Sequence, residues 1–138
     1  MYVLDTNIIS EMIKKQPDSK VMHKIELHQN EIATTAPVWH ELNFGYEKLP
    51  FSKKKDIIKA FLQNVIKQSL EILPYDEKAA EWHARERARL SAKGMTPPFV
   101  DGQIASIAFV NDATLVTRNT RDFNFFSNLS IENWHLPD

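Results

Sequence analysis

The sequence predicts an α/β fold, with a parallel sheet and helices on both faces. Short apolar segments of strand length alternate along the chain with longer segments of helical period. This alternation is typical of parallel sheets, because a crossover helix returns the chain between parallel strands. The predicted strands are residues 2–5, 31–35, 70–74, 113–117 and 130–134. The predicted helices are residues 7–14, 19–29, 37–49, 53–67, 76–93 and 98–110.

Length and composition limit the class of protein. The 138 residues suit one domain over residues 1–138, with a core large enough to fold without disulfides or structural metals. The chain has no cysteine, which excludes disulfides, thiolate zinc sites and a thiol nucleophile. Its longest later apolar stretch, residues 104–110, is far shorter than the roughly 20 residues that span a bilayer. We therefore expect a soluble cytoplasmic protein.

The overall charge is close to neutral. The formal net charge is -1, whereas proteins that hold nucleic acid by bulk electrostatics usually show a basic excess. Basic residues cluster locally, and such clusters are often solvated helix faces. A nuclease would need some of them near its acidic centre, because phosphate and carboxylate repel each other. The clusters are residues 53–55, the arginines at 85, 87 and 89, and the arginines at 118 and 121.

The first predicted strand, residues 2–5, begins with three apolar residues and ends at Asp5. Functional sites in open parallel sheets form beyond the carboxyl ends of the strands, so Asp5 is a candidate active-site residue. The alternative is that Asp5, Thr6 or Asn7 caps the next helix, since all three are good N-cap residues.

The helix predicted over residues 37–49 begins with Pro37, which suits a first turn because the missing N–H has no helical partner there. Apolar residues recur near every fourth position and place Glu41 at the edge of the resulting stripe. A glutamate there must reach solvent or meet a partner, because burying an unpaired charge is unfavourable. Glu41 is a second candidate, with a structural role as the alternative.

The helix predicted over residues 76–93 has two distinct faces. Ala80, Ala84 and Ala88 recur at a spacing of four and permit close packing. Arg85 and Arg89 lie on another face. Either face could contact a protein or RNA partner.

Among individual residues, Asp101 gives the strongest indication of a functional role. It lies in the first turn of the helix that Pro98 begins. Ile104, Ala105 and Ala108 follow at three, four and seven residues, so Asp101 heads an apolar face. The helix dipole favours an acid in a first turn, but it does not explain why that acid points toward the core.

Asp122 follows the fourth predicted strand, in a loop that also carries Thr117 and Asn119 near the strand end. An acid in a loop means little alone, but four acids at or near strand ends can converge. Clustered carboxylates raise one another's pKa unless a cation neutralises them. Mg²⁺ or Mn²⁺ suits such oxygen ligands and can activate a water for attack on a phosphodiester.

Four segments resemble the PIN domain, and specifically the VapC toxins of bacterial toxin–antitoxin pairs. They are residues 4–7 (LDTN), 40–45 (HELNFG), 101–108 (DGQIASIA) and 115–123 (LVTRNTRDF). The resemblance covers almost the whole chain. It implies a five-stranded parallel sheet in the order 3-2-1-4-5, metal-dependent endoribonuclease activity, a cognate VapB-type antitoxin and a homodimer.

The resemblance also implies roles for individual acids. Asp5, Glu41 and Asp101 match the three core metal-binding acids, and Asp122 matches a more variable fourth acid. We expect all four to be catalytic through Mg²⁺ or Mn²⁺, with water attacking RNA in line and leaving a 5′-phosphate and a 3′-hydroxyl. Transfer RNA is a favoured target among relatives, and its cleavage would inhibit translation.

Polar neighbours of the acids have supporting roles by the same resemblance. Asn7 and Thr117 match groups that orient carboxylates or water, and Asn119 matches a small polar or acidic position. Arg118 lies between two of them, and its role stays open.

Two other functions are compatible with the residues. Asp5 could be the covalent nucleophile of a phosphoryl-transfer enzyme, although Asn7 stands where haloacid-dehalogenase-like phosphatases have a second Asp. The chain could also be a non-catalytic α/β module that binds a protein. A nucleotide-binding enzyme is excluded, because three isolated glycines form no phosphate loop.

Overall fold

The computed structural model describes residues 1–137. The strands in this part of the chain are β1 Tyr2–Leu4, β2 Ile32–Thr35, β3 Glu71–Leu73, β4 Thr114–Val116 and β5 Ile131–Glu132. They form one sheet in the order β3-β2-β1-β4-β5, and every neighbouring pair is parallel. The predicted fold class and strand order are confirmed.

The helices follow the predicted segments, with two interruptions. They are α1 Thr6–Ile9, α2 Ser19–Leu27, α3 Ala36–Glu47, α4 Lys53–Phe61, α5 Lys67–Ser69, α6 Glu77–Ala92 and α7 Phe99–Val110. A 3-10 turn, Ser10–Ile13, continues α1, and a π turn, Leu62–Ile66, separates α4 from α5. No helix within residues 1–137 is long and apolar enough to cross a membrane.

The central strands are buried on both faces. Val3 and Leu4 of β1 point to opposite faces, and neither is exposed to solvent. Leu115 and Val116 of β4 are equally buried. Each such side chain stabilises the fold by roughly 1.5–3 kcal/mol relative to an exposed one. Helices therefore cover both faces, as the near-continuous apolar runs of β1 and β4 indicate.

The register of β1 and β4 delivers polar residues to one edge of the sheet. Leu4 pairs with Val116, and the backbone N–H of Asp5 donates to the Val116 carbonyl at 3.0 Å. Asp5 and Thr117 therefore leave the sheet side by side at its carboxyl edge.

Helices α6 and α7 meet closely at Gly102, the residue after Asp101. A Cβ atom at Gly102 would lie 2.0 Å from Nε2 of His83, which is itself buried. The His83 Nδ1 atom is 2.8 Å from the Tyr75 hydroxyl, so the imidazole is held in place. Gly102 thus allows the N-terminal turn of α7, with Asp101, to approach α6.

Candidate active site

Asp5 is the most buried of the four acids. Its Oδ1 accepts a hydrogen bond from the Thr6 backbone N–H at 2.8 Å, and its Oδ2 accepts one from the Thr117 hydroxyl at 2.9 Å. Burial raises the pKa of Asp5, these two hydrogen bonds oppose that rise, and the charges of Glu41 and Asp122 add to it. Asp5 therefore caps α1 with one oxygen and joins the acidic cluster.

Glu41 lies in α3, whose start is capped by the Thr35 hydroxyl at the end of β2. Its carboxylate is exposed, and Oε2 accepts a hydrogen bond from the Thr6 hydroxyl at 2.9 Å. Thr6 thus links Asp5, through its backbone N–H, to Glu41, through its hydroxyl. Sequence reasoning considered Thr6 only as a cap, because the contact with Glu41 spans 35 residues.

Asp101 has the most perturbed carboxyl group of the cluster. Within residues 1–137, no group donates a hydrogen bond to it, and Pro98 provides no side-chain cap for α7. Partial burial, followed in order by the charges of Asp122, Asp5 and Glu41, raises its pKa to about 6. The apolar face below Asp101 explains the burial, because Ile104, Ala105 and Ala108 are all in the core.

Asp122 ends a 3-10 turn, Thr120–Asp122, and is exposed. It lines a cavity of about 280 Å³ together with Asp101. This cavity, the acid cavity, also has Thr96 and Phe125 in its wall.

An ion pair on α6, between buried Glu86 and half-buried Arg89, holds the loop that follows Asp122. The Arg89 guanidinium donates two hydrogen bonds to the Glu86 carboxylate, at 3.0 and 2.9 Å, and a third to the Phe125 carbonyl at 2.8 Å. Glu86 also accepts from the Ser127 backbone N–H at 2.6 Å. The hydrogen bonds from Arg89 lower the pKa of Glu86 to about 2. Sequence reasoning gave Arg89 no partner, although its spacing of three from Glu86 was a signal.

The Thr117 hydroxyl connects the polar residues that surround Asp5. Its hydroxyl donates to Asp5 and accepts from the Asn119 backbone N–H at 3.1 Å and from the Asn7 amide at 3.4 Å. The Asn7 amide oxygen accepts from the Arg118 backbone N–H at 3.0 Å. Asn7 and Thr117 therefore fasten the loop after β4 to Asp5, whereas Asn119 contributes its backbone and keeps its side chain exposed.

The four acids are close enough to affect one another's pKa, but they do not surround a single position. Asp101 responds to the charges of the other three acids, and Asp5 responds to two of them. In the part of the chain that the structure describes, no three carboxylate or imidazole groups are close enough together to surround an ion. The donors are oxygens with uncompensated charge, which fits a hard divalent cation that keeps several of its waters.

The PIN domain family matches residues 2–129. Ribonuclease VapC2 of Rickettsia felis is 38% identical, with 97% of this chain and 98% of that protein covered. The chain belongs to the PIN-domain ribonucleases of the VapC type.

Two further similarities support membership of the VapC-type ribonucleases. The tRNA(fMet)-specific endonuclease VapC of Shigella flexneri is 31% identical, with 96% of this chain and 97% of that protein covered. The crystal structure of VapBC2 from Rickettsia felis, bound to a DNA fragment from their promoter, contains a chain with a TM-score of 0.82 and 36% identity. That likeness covers 96% of this chain and 98% of the other.

Proposed function

We propose that this VapC-type ribonuclease is a metal-dependent endonuclease that cleaves RNA at the carboxyl edge of its sheet. The observation that carries the proposal is the Asp101 carboxylate, which is partly buried, receives no hydrogen bond within residues 1–137 and faces the charge of three other acids. An acid in that environment is unfavourable for folding and is characteristic of functional sites.

Asp5, Glu41 and Asp101 would hold Mg²⁺ or Mn²⁺, with Asp122 as a fourth ligand or a close neighbour. The cation, when bound, lowers the pKa of water and neutralises charge on the phosphate. With the cation bound, water would attack the RNA phosphodiester in line, leaving a 5′-phosphate and a 3′-hydroxyl.

The neighbouring residues would fix the carboxylates. Thr117 and Thr6 hold the two oxygens of Asp5, and Thr6 also holds Glu41. Asn7 keeps the loop after β4 against them, and Asn119 lies at the rim of the site. Supporting hydrogen bonds of this kind keep ligating carboxylates oriented.

A covalent phosphoryl transfer on Asp5 is less consistent with these contacts. Both carboxylate oxygens of Asp5 accept hydrogen bonds, and the residue is 7% exposed. An in-line attack needs an open approach of the carboxylate to phosphorus, which this burial restricts, whereas a cation can share an oxygen that already accepts one hydrogen bond.

The relatives support a biological role for this activity. The similarity to VapBC2 supports a VapB-type antitoxin as partner, and the similarity to a tRNA(fMet)-specific endonuclease supports transfer RNA as target. Cleaving transfer RNA in the cytoplasm would inhibit translation. We also propose that the chain acts as a homodimer.

The test is cleavage of total RNA by purified protein with Mg²⁺ or Mn²⁺, followed by sequencing of the cleaved ends. Asp5→Asn and Asp101→Asn should each abolish cleavage, and chelation by EDTA should abolish it in the wild type. Asp112→Asn is the matched control, because Asp112 is exposed beyond the other end of α7 and has a φ of 54° that asparagine tolerates. Cleavage by both active-site variants would overturn the proposal.

A further inference from the structure

A second cavity lies beside the acid cavity, between α6 and the segment that leads into α7. It has a volume of about 550 Å³, and we call it the flanking cavity. Its polar and aromatic lining residues are Tyr75, His83, Arg87, Ser91, Thr96 and Phe99. None of the carboxylates proposed to hold the cation lines it.

The depth of the flanking cavity comes from the alanines of α6. Ala80, Ala84 and Ala88 all line it, and their small side chains leave room above the helix. The sequence left open which face of this helix contacts a partner. In the structure the alanine face lines this cavity; on the other face Arg89 is engaged by Glu86 and Arg85 is exposed.

The two cavities adjoin each other. Thr96 lines both of them, and Phe99 precedes Asp101 by two residues in the first turn of α7. A chain that lies across the acidic cluster can therefore continue into the flanking cavity. The acid cavity and the flanking cavity form a path along the N-terminal end of α7.

The lining chemistry suits a nucleotide. Phe99 is 49% exposed, with the Arg87 guanidinium over its ring at 5.3 Å from the centre and the His83 ring packed against it at 4.8 Å between ring centres. Burial, and secondarily the charge of Arg87, lowers the pKa of His83, so His83 is neutral at pH 7 and Arg87 is the cation of this cavity. Within residues 1–137, no carboxylate lines the cavity to compete with a phosphate for Arg87. An exposed aromatic ring beside an arginine is the pairing that holds unpaired bases and their phosphates.

We propose that the flanking cavity binds one nucleotide of the RNA adjacent to the cleaved bond, with its base packed against the exposed part of the Phe99 ring and its phosphate at Arg87. The proposal rests on the proposed ribonuclease function and adds a substrate subsite to it. The hydroxyls of Ser91 and Thr96 supply hydrogen-bonding groups around that nucleotide. A second copy of the chain, or a protein partner, would be the competing occupant.

The test measures binding of a fluorescein-labelled single-stranded RNA of mixed sequence by fluorescence anisotropy. All proteins carry Asp5→Asn, so that the RNA stays intact. Added Arg87→Ala should weaken binding about tenfold and lower the slope of log affinity against log salt by about 1. Added Phe99→Ala should weaken binding about 5- to 100-fold without changing that slope, because it removes stacking and no charge. Phe99→Tyr should bind like the parent.

The matched control is Arg85→Ala, which removes an equal charge from an exposed position on α6 outside the cavity. Circular dichroism and thermal unfolding check that each variant is folded. Equal RNA affinity for the Arg87→Ala, Phe99→Ala and Arg85→Ala proteins would overturn the proposal. So would a change of molar mass in light scattering at unaltered RNA affinity, because the face would then be an interface between copies.

Failure of this proposal is distinguishable from failure of the ribonuclease function. The flanking cavity alone is refuted if wild-type protein cleaves RNA, Asp5→Asn abolishes cleavage, and the Arg87→Ala protein binds RNA like the control. If the wild type neither cleaves nor binds RNA with either cation, the proposed function fails and the subsite fails with it.

Discussion

Replacing Asp101 by asparagine should stabilise the metal-free protein. The carboxylate is partly buried beside three other acids, and its pKa is raised from the ordinary 3.8 to about 6. Ionising it in the folded state therefore costs about 3 kcal/mol at neutral pH, at about 1.4 kcal/mol per pH unit. Solvent screening at a partly exposed site reduces this figure, and we expect a net gain of about 1–2 kcal/mol for the variant.

The sign of the effect depends on pH. Because the folded-state pKa of Asp101 is raised, the free energy of unfolding of the wild type falls as the pH rises from 3.8 to about 6 and stays lowered above that interval. Below that interval Asp101 is protonated in both states and resembles asparagine. The advantage of Asp101→Asn should therefore be small at pH 4, about a fifth of its full size, and complete at pH 7.5.

Urea unfolding in EDTA measures this difference, with Asp112→Asn as the control. At pH 7.5 the gain corresponds to a rise in melting temperature of about 3–8 °C for a domain of this size. Saturating Mn²⁺ should reverse the order, because the cation stabilises the folded wild type by mass action. A variant less stable than wild type at pH 7.5, or an equal gain at both pH values, would refute the reasoning.

Three other predictions follow from single contacts. Thr117→Val keeps the side-chain shape but removes the donor to Asp5 and the acceptor for Asn119 and Asn7. Cleavage by the purified protein should fall about 10- to 100-fold, and the free energy of unfolding should fall by about 1–3 kcal/mol. Full activity would show that the hydrogen bond to Asp5 is dispensable. Glu86→Gln weakens the hydrogen bonds by which Glu86 and Arg89 hold the loop at Phe125, so the free energy of unfolding at pH 7 should fall by about 2 kcal/mol. The stabilisation that ionised Glu86 gives the wild type is present above pH 4.5 and should disappear as the pH falls toward about 2. A stability difference between Glu86→Gln and wild type that persists unchanged at pH 2 would contradict this prediction. Gly102→Ala should destabilise the fold by about 1–3 kcal/mol because the added Cβ meets His83, whereas helix propensity alone would stabilise it by about 1 kcal/mol. Adding His83→Ala should recover part of the loss in thermal unfolding. A stabilising Gly102→Ala would show that His83 moves freely.

The sheet could be predicted because its strands are continuous apolar runs. Val3, Leu4, Leu115 and Val116 are buried on both faces, and such runs alternating with helices lead to a parallel sheet. The strand order came from the family resemblance, since periodicity alone does not order strands. The short α1 and the π turn before α5 were missed, because local pattern does not show where tertiary packing tightens or widens a helix.

The candidate site was only partly predictable. Strand ends and the apolar face below Asp101 indicated where acids could gather, and the structure brings all four into one electrostatic neighbourhood. The contacts that organise them join distant parts of the chain. Thr6 reaches Glu41 across 35 residues and Thr117 reaches Asp5 across 112, and no spacing rule connects them.

Titration of metal-free protein with Mn²⁺ by isothermal calorimetry at pH 6 tests most directly whether these acids act as a single cation site. The wild type and Asp112→Asn should bind Mn²⁺ and release protons, because the cation displaces the proton that Asp101 partly holds at that pH. Asp5→Asn, Glu41→Gln and Asp101→Asn should each lose most of this binding. Undiminished binding in all three would show that the acids do not form the cation site.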